Sequence, residues 1–565
     1  MGAEWPLFFC SNLSLFPITI LSMLQLLSFL IILSVQVAFG ASTIAIIDTG
    51  FDLDNQFLRP KILKQETDEE AINPSLKEFS DWDFHDNSHL KKPVIKDQSL
   101  LQEILLFRNL RAKGHSEGLS LSEFEWFKKR SSDKDFMDQV KKFKKHAHGT
   151  FVAGIALREG ENINLFPIRG LHIKIPVVAV EDNSNIQKAA LKSRSPEQKF
   201  KEEIKNSADR VIRKFSKICR YLSMNSIDIV NASYGITYKN ISTKFRESYK
   251  ELTGKDIDET RLKKEVDDYF NDLFSRTSKV IKRYPRMLFV FSAGNSGIDN
   301  DAYDHYPSKI KLPNTISVGA MNGDFLASFS NYGKTHVDIG APGVAILSLV
   351  PKVYSPDGKE TYSPSSGTSM AAPYISNLAA QILNINPRLR PEEIKILITE
   401  TGDEKEHLKD RLISGAIVDN QKALKAALLS RDLPIEQAVN LANTGLIPME
   451  DSVSIGQPPA VNPEGLQKKM MNIIPKDITP GELDEIQSTS EESSLLLGPE
   501  TNKPDNSVPL PSKKKAAPKL PSDPAPSSQS EAQSPTPSVE PPASSSPVES
   551  QPLPAPETST EPSLP

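Results

Sequence analysis

Two cysteines in 565 residues leave little scope for covalent bracing. Cys10 lies at the edge of an apolar leader and lacks the small residues that precede a lipidated cysteine. With that leader removed, Cys219 stands alone and an intrachain disulfide is excluded, so packing must hold the fold. Cys219 itself reads as a small core residue of a helical stretch over 211–222. An excess of charge of one sign is also missing. The 67 Lys and Arg against 72 Asp and Glu leave a formal charge of −5, which gives no footing for nucleic acid or an anionic membrane surface as partner. Metal-ligand spacings are absent as well: His146 and His148 form an H-x-H pair that no further Cys or His completes. No required cofactor follows. The acidic stretch with Asp299, Asp301 and Asp304 allows for a structural calcium, whose ligands are hard oxygens.

What is there divides the chain into four parts. Residues 13–35 are almost continuously apolar, and Ala38-Phe39-Gly40 places small residues at the two positions a signal peptidase reads. Residues 1–40 are therefore expected to be an export signal cut after Gly40, giving an extracellular or periplasmic protein. The alternative is an N-terminal membrane segment, in which case the membrane is a partner. It is disfavoured because a strand begins at about Thr43 and would leave only about 10 Å of chain to the bilayer. A folded domain is expected over 41–430, and a weakly helical extension over 431–500. The last 65 residues hold 17 of the 43 prolines and almost no aromatics. Such a segment cannot bury a core, so 501–565 is expected to be an extended, disordered spacer or partner-binding stalk.

Within 41–430, four segments carry chemistry. Gly367-Thr368-Ser369-Met370-Ala371-Ala372-Pro373 opens a run in which Met370, Ile375, Leu378, Ala379, Ile382 and Leu383 recur largely at helical spacing. Ser369 is thus expected at a helix N-terminus with Pro373 in the first turn. Free N–H groups and the helix dipole favour negative charge there, a setting for acyl transfer. A serine hydroxyl is a poor nucleophile at neutral pH and requires a base, an orienting group and an oxyanion donor. Ile44-Ala45-Ile46-Ile47-Asp48-Thr49-Gly50 reads as a buried parallel strand delivering a carboxylate at its C-terminal end, with Asp48 as the orienter. His148 opens Gly149-Thr150-Phe151-Val152-Ala153-Gly154, a tightly packed helix start, and is the candidate base. Another apolar strand, Met287-Leu288-Phe289-Val290-Phe291, runs into Ser292-Ala293-Gly294-Asn295, whose amide could donate to an oxyanion. Each segment alone has a commoner reading, as a capped helix, a turn or a satisfied core histidine.

Taken in the order Asp, His, Asn, Ser, the four segments resemble the subtilisin-like serine proteases. The likeness extends to Asp81-Trp82-Asp83-Phe84, to Asp228-Ile229-Val230-Asn231-Ala232-Ser233-Tyr234-Gly235, and to Phe329-Ser330-Asn331-Tyr332-Gly333 before the serine. Ala147 and Phe151 depart from the family pattern at positions that do no chemistry. The resemblance implies a three-layer α/β/α fold with a mostly parallel central sheet, in agreement with the alternating apolar β-branched runs and helical segments. It also implies a monomeric endopeptidase acting on protein or peptide substrates through Asp48, His148 and Ser369, with Asn295 at the oxyanion. Substrate backbone would pair along Ser233, Tyr234 and Gly235, and Asp304 stands near the position where a basic-cleaving branch keeps a carboxylate. A silent relative that binds peptides in the same groove is the rival reading. Family members generally carry an N-terminal propeptide, whereas here a mature chain starting near Ala41 is expected.

Insertions distinguish the chain from compact relatives. Asp48 and His148 are about a hundred residues apart, and the added segment over 91–145 is polar and Lys-rich with apolar patches such as Ile104-Leu105-Leu106-Phe107. Two more charged expansions, near 172–205 and 236–282, are expected to be helical with solvated outer faces, or to narrow the substrate groove.

Overall fold

The structure is a computed structural model that describes residues 41–63, 90, 92–116, 118–170, 194–355 and 361–444. The proposed signal, residues 81–84, the whole of 172–193 and everything beyond 444 lie outside the described residues. The chain divides into two units, 1–500 and 501–565, and all described residues belong to the first.

Thirteen strands are described: β1 (Ser42–Asp48), β2 (Ile163–Arg169), β3 (Ile229–Ala232), β4 (Ile236–Thr237), β5 (Leu288–Ser292), β6 (His305–Tyr306), β7 (Thr315–Asn322), β8 (Phe325–Leu326), β9 (Ile339–Pro342), β10 (Ile346–Val350), β11 (Thr361–Ser365), β12 (Asp403–Glu404) and β13 (Ala416–Ile417). Nine of them form one sheet in the order β12-β13-β9-β7-β5-β3-β1-β2, with β8 paired to β7. From β13 to β2 every neighbouring pair on this path is parallel. The central strands are buried on both faces, which is why they read as continuous apolar runs. Period-two alternation still sorts their side chains. Ile44 and Ile46 of β1, with Leu288 and Val290 of β5, enter one core, while Ala45, Ile47, Phe289 and Phe291 enter the other.

The described helices are α1 (Gln98–Ser116), α2 (Leu121–Ser131), α3 (Lys134–Ala156), α4 (Pro196–Met224), α5 (Tyr238–Thr253), α6 (Glu259–Ile281), α7 (Thr368–Ile385), α8 (Pro391–Glu400), α9 (Asn420–Leu429) and α10 (Ile435–Thr444). The C-terminal half of α3 and α7 to α10 cover one face of the sheet; α4, α5 and α6 cover the other. This is the expected three-layer α/β/α arrangement. Val439 and Ala442 of α10 join the first core, so the beginning of the 431–500 extension packs on the domain.

The charged expansions account for most of the added helix. On α4, Phe200, Ala208, Val211, Ile212, Phe215, Cys219 and Leu222 are buried at three- and four-residue spacing, with Lys, Arg and Glu outward. Burial raises the Cys219 thiol pKa well above its ordinary range, consistent with a core residue. The 236–282 expansion becomes β4, α5 and α6, whose apolar stripes complete the second core. The first insertion builds a core of its own from Ile104, Phe107, Phe127, Phe136, Val140 and Phe143 with Val350 and Tyr354. Arg108 fastens that cluster to the β10–β11 hairpin: Nε donates to Ser363 Oγ and Nη2 to Pro364 O, both at 3.3 Å. Its guanidinium also lies over the rings of Phe143 and Phe151, which draws Phe151 into the same packing. Among the described residues no helix is long and apolar enough to cross a membrane.

Two positions set how tightly this frame is assembled. Gly149 lies where α3 meets the end of β1: a Cβ there would sit 2.3 Å from Gly50 O and 3.2 Å from Asp48 Cβ. Gly149→Ala should therefore force helix and strand apart and lower the unfolding free energy by about 1–3 kcal/mol, the usual size for overpacking; denaturant titration checks this, and a wild-type midpoint would show slack in the contact. His305 is the second. Its imidazole is fully buried, and desolvation lowers its pKa from 6.5 to about 4. The unfolded chain then binds the extra proton first, so the stability this group contributes is complete above about pH 6.5 and is lost as pH falls toward 4. Between pH 7 and 5 the loss should be about 2 kcal/mol by linkage at roughly 1.4 kcal/mol per pH unit. Urea titrations of wild type and His305→Asn measure it: the pH 7 to pH 5 difference should shrink by that amount in the variant.

Candidate active site

The four segments singled out by sequence join in two pairs, Asp48 with His148 and Asn295 with Thr368 beside Ser369, and α7 packs on both α3 and β1. Asp48 is the last residue of β1, and its carboxylate is buried. Donors satisfy its oxygens: His148 Nδ1 lies 2.8 and 2.9 Å from the two of them, and Thr49 N and Oγ1 donate to Oδ1 at 2.7 and 3.2 Å. A carboxylate on Nδ1 places the proton there, which leaves Nε2 as the basic nitrogen of the neutral ring. Nε2 is buried and has no hydrogen-bond partner. The neighbouring His146 goes elsewhere, its Nδ1 lying 2.9 Å from Tyr354 Oη, so the two histidines do not form a metal pair.

Ser369 is the second residue of α7, and α7 packs directly on α3. The helix starts after Gly367, whose φ of 155° and ψ of 159° suit only a residue without a side chain. Gly367 offers no side-chain cap, and Asn295 takes over that task from the end of β5. Its Oδ1 accepts from Thr368 N at 2.8 Å and Thr368 Oγ1 at 3.1 Å. Because the carbonyl oxygen must face those donors, the Nδ2 end points away, and it is buried without a partner. Thr368 Oγ1 in turn accepts from Gly294 N at 3.1 Å, tying the strand end to the helix start. The Ser369 N–H belongs to the first helical turn, where no intrahelical acceptor exists.

Pro373 is the sixth residue of α7, inside the helix, and not in its first turn as the apolar periodicity suggested. The position has a purpose. A residue with an N–H at 373 would bond back to the carbonyl of Ser369, four residues earlier; proline cannot. That carbonyl is taken instead by Ser233 Oγ, which donates to Ser369 O at 3.1 Å. The return bond runs from Ser369 Oγ to Ser233 O at 3.2 Å. Ser233 is anchored by Asn231 Nδ2 at 3.0 Å, and Asn231 Oδ1 accepts at 3.0 Å from Ser376 Oγ, about two turns beyond Ser369 along α7. Sequence reasoning placed Ser233 on the substrate strand and passed over Asn231, Thr368 and Ser376; the spacing of four between Ser369 and Pro373 was the available signal.

The remaining predicted positions separate. Tyr234 turns its side chain into the second core, where burial raises its phenol pKa well above 10, so only its backbone faces the site edge. Gly235 precedes β4, which pairs with β6 through Thr237 and His305. Asp304 does not offer a free buried carboxylate: Lys309 Nζ lies 2.8 Å away, and both side chains are about one-fifth exposed. Asp299 and Asp301 are committed too. Asp299 Oδ1 accepts from Asp301 N, and Asp301 accepts from Thr335 Oγ1 and faces His336 Nδ1, each at 2.8 Å. Among the described residues no group of three or more His, Cys, Asp or Glu side chains is placed to hold a metal ion.

A family model described as the Subtilase family matches residues 40–421, more than half of the chain. An extracellular basic protease of Dichelobacter nodosus is 33% identical over 166 residues, which are 28% of this chain and 27% of that protein. A cell wall-associated protease of Bacillus subtilis is 42% identical over 116 residues, 20% of this chain and 12% of its own length. The serine protease AprX of Bacillus subtilis is 38% identical over 145 residues, 22% of this chain and 32% of its own. The chain thus spans less than a third of these curated relatives. Since Asp48, His148, Asn295 and Ser369 all fall within the span matched by the family model, on a mostly parallel sheet between two helical layers, the chain belongs to the subtilase family.

Proposed function

We propose that this chain is an exported serine endopeptidase that hydrolyses peptide bonds through Asp48, His148 and Ser369. The observation that carries the reading is the pair of unpartnered buried nitrogens, His148 Nε2 and Asn295 Nδ2, on two residues whose other polar atoms are anchored. A buried polar atom without a partner costs on the order of 1–3 kcal/mol and is retained where chemistry uses it.

In the reaction, the Ser369 hydroxyl leaves Ser233 O and turns to His148 Nε2, which takes its proton as Oγ attacks the substrate carbonyl. Asp48 holds the ring by Nδ1 and stabilises the imidazolium that forms. The tetrahedral oxyanion is held by Asn295 Nδ2 and by the N–H of Ser369 at the positive end of α7. The imidazolium then gives its proton to the leaving amine, and the C–N bond breaks to leave an acyl-Ser369 ester. Water, deprotonated by His148, attacks that ester and releases the acid. Substrate backbone adds as a strand along 233–235.

Labelling by a fluorophosphonate tests the reading and separates it from a silent peptide-binding relative. Wild type should be labelled and Ser369→Ala should not; an unlabelled, folded wild type overturns the reading. Asn295→Ala should keep the label site and lose about 10²–10³ in kcat with little change in KM, the size expected for one oxyanion donor.

Export rests on the apolar run 13–35 and the small residues before Ala41, with β1 starting at Ser42. N-terminal sequencing of secreted material should read from about Ala41; a start beyond Asp48 would remove the orienting carboxylate and refute this processing.

A further inference from the structure

We infer that His305 closes the specificity crevice of this site, so that the chain selects substrates with a small side chain, Gly, Ala or Ser, on the residue whose carbonyl is attacked. The inference rests on the proposed peptidase reading and deepens it.

The crevice follows from the sheet. β3 and β5 are parallel neighbours whose last paired residues are Ala232 and Phe291. Beyond that pair the chain continues as 233–235 on one side and, after Ser292, as 293–295 on the other. The first segment holds Ser369 Oγ through Ser233 O, and the second carries Asn295 Nδ2. A carbonyl that reaches both atoms must sit over the gap between the two segments. The side chain on the adjacent Cα then points into that gap, because side chains on an added strand alternate between its faces.

The gap is already occupied. A Cβ placed on Gly235 would lie 2.2 Å from both His305 Cε1 and Nε2, and one placed on Gly294 would lie 2.8 Å from His305 Nε2. One imidazole therefore touches both walls, at the two positions where the walls have no side chains of their own. It has no freedom to swing aside: β6 is paired to β4, His305 is 4% exposed, and its Nδ1 lies 2.8 Å from Ser308 Oγ. Ser308 is itself buried, and its hydroxyl lies within 3.4 Å of Ala293 O, which ties the ring to the second wall. Asp304, one residue earlier, is engaged by Lys309, so the crevice presents an uncharged ring and no free carboxylate. Long aromatic, aliphatic or basic side chains would have to displace that ring; a methyl or hydroxymethyl group would not. Close-packed walls of this kind discriminate by volume.

The test uses the full chain and three reagents that acylate or phosphonylate a reactive serine: a plain fluorophosphonate and matched peptidyl diphenyl phosphonates ending in the Ala or the Phe analogue, with an Arg analogue as a further arm. Wild type should be inactivated at least tenfold faster by the Ala reagent than by the Phe or Arg reagent. His305→Ala should gain at least tenfold toward the Phe reagent; His305→Ser serves if that variant fails to fold, and the wild-type ratio decides alone if both do. Equal or faster inactivation of wild type by the Phe or Arg reagent overturns the inference, as does an unchanged Ala-to-Phe ratio in a folded His305 variant. If Ser369 reacts with the fluorophosphonate and the Ala reagent shows no advantage, only the crevice assignment falls. If the fluorophosphonate fails as well, the peptidase reading falls and takes this inference with it.

Discussion

Everything at this site depends on how closely one helix can approach one strand. Asp48 is held at the end of β1, and His148 can reach its carboxylate only because the next residue on α3 is a glycine, with Gly50 O standing where a methyl group would be. The contact is buried, and its strength comes from that burial: a carboxylate, an imidazole and the Thr49 donors satisfy one another in a place that water does not screen. From there the remaining geometry is inherited. α3 sets the face against which α7 packs, α7 sets Thr368, and the N–H and hydroxyl of Thr368 orient Asn295 from the end of β5.

A second set of bonds keeps the nucleophile in place while leaving it usable. Ser369 and Ser233 exchange one hydrogen bond in each direction, and the exchange exists because a proline four residues later leaves a helical carbonyl without its ordinary donor. The Asn231 and Ser376 side chains hold Ser233 from behind. The site therefore joins firm support with one hydroxyl bond of 3.2 Å to a carbonyl, a bond weak enough for the imidazole to replace.

Much of this was legible in the sequence, for physical reasons. Strands buried on both faces must be apolar throughout, so β1, β3 and β5 announced themselves, and the polar residues at their ends marked the edge where chemistry sits. Helices with one buried stripe were visible in the same way, and the structure extends the 211–222 stretch to Pro196–Met224 without changing its face. What the sequence concealed were relations between distant positions. Ser233 and Ser369 are 136 residues apart, and nothing near either residue signals the other. The partner of Asp304 and the neighbours of His305 are of the same kind: a carboxylate or an imidazole in a loop reveals its type, while its surroundings depend on how β4 and β6 pair. The helix start at Ser369 was read correctly, but Pro373 was placed in the first turn because apolar spacing reports the stripe and not the cap.

The first insertion leaves a mechanical legacy. Phe136, Val140 and Phe143 anchor the early turns of α3 among the accessory helices, whereas Val152, Ala153 and Ile155 anchor its later turns in the main core. One uninterrupted rod of 23 residues, about 35 Å long, thus serves two bodies, and the imidazole is mounted between its two footings. Any load that tilts the accessory bundle is delivered along this lever to the general base, without a joint to absorb it.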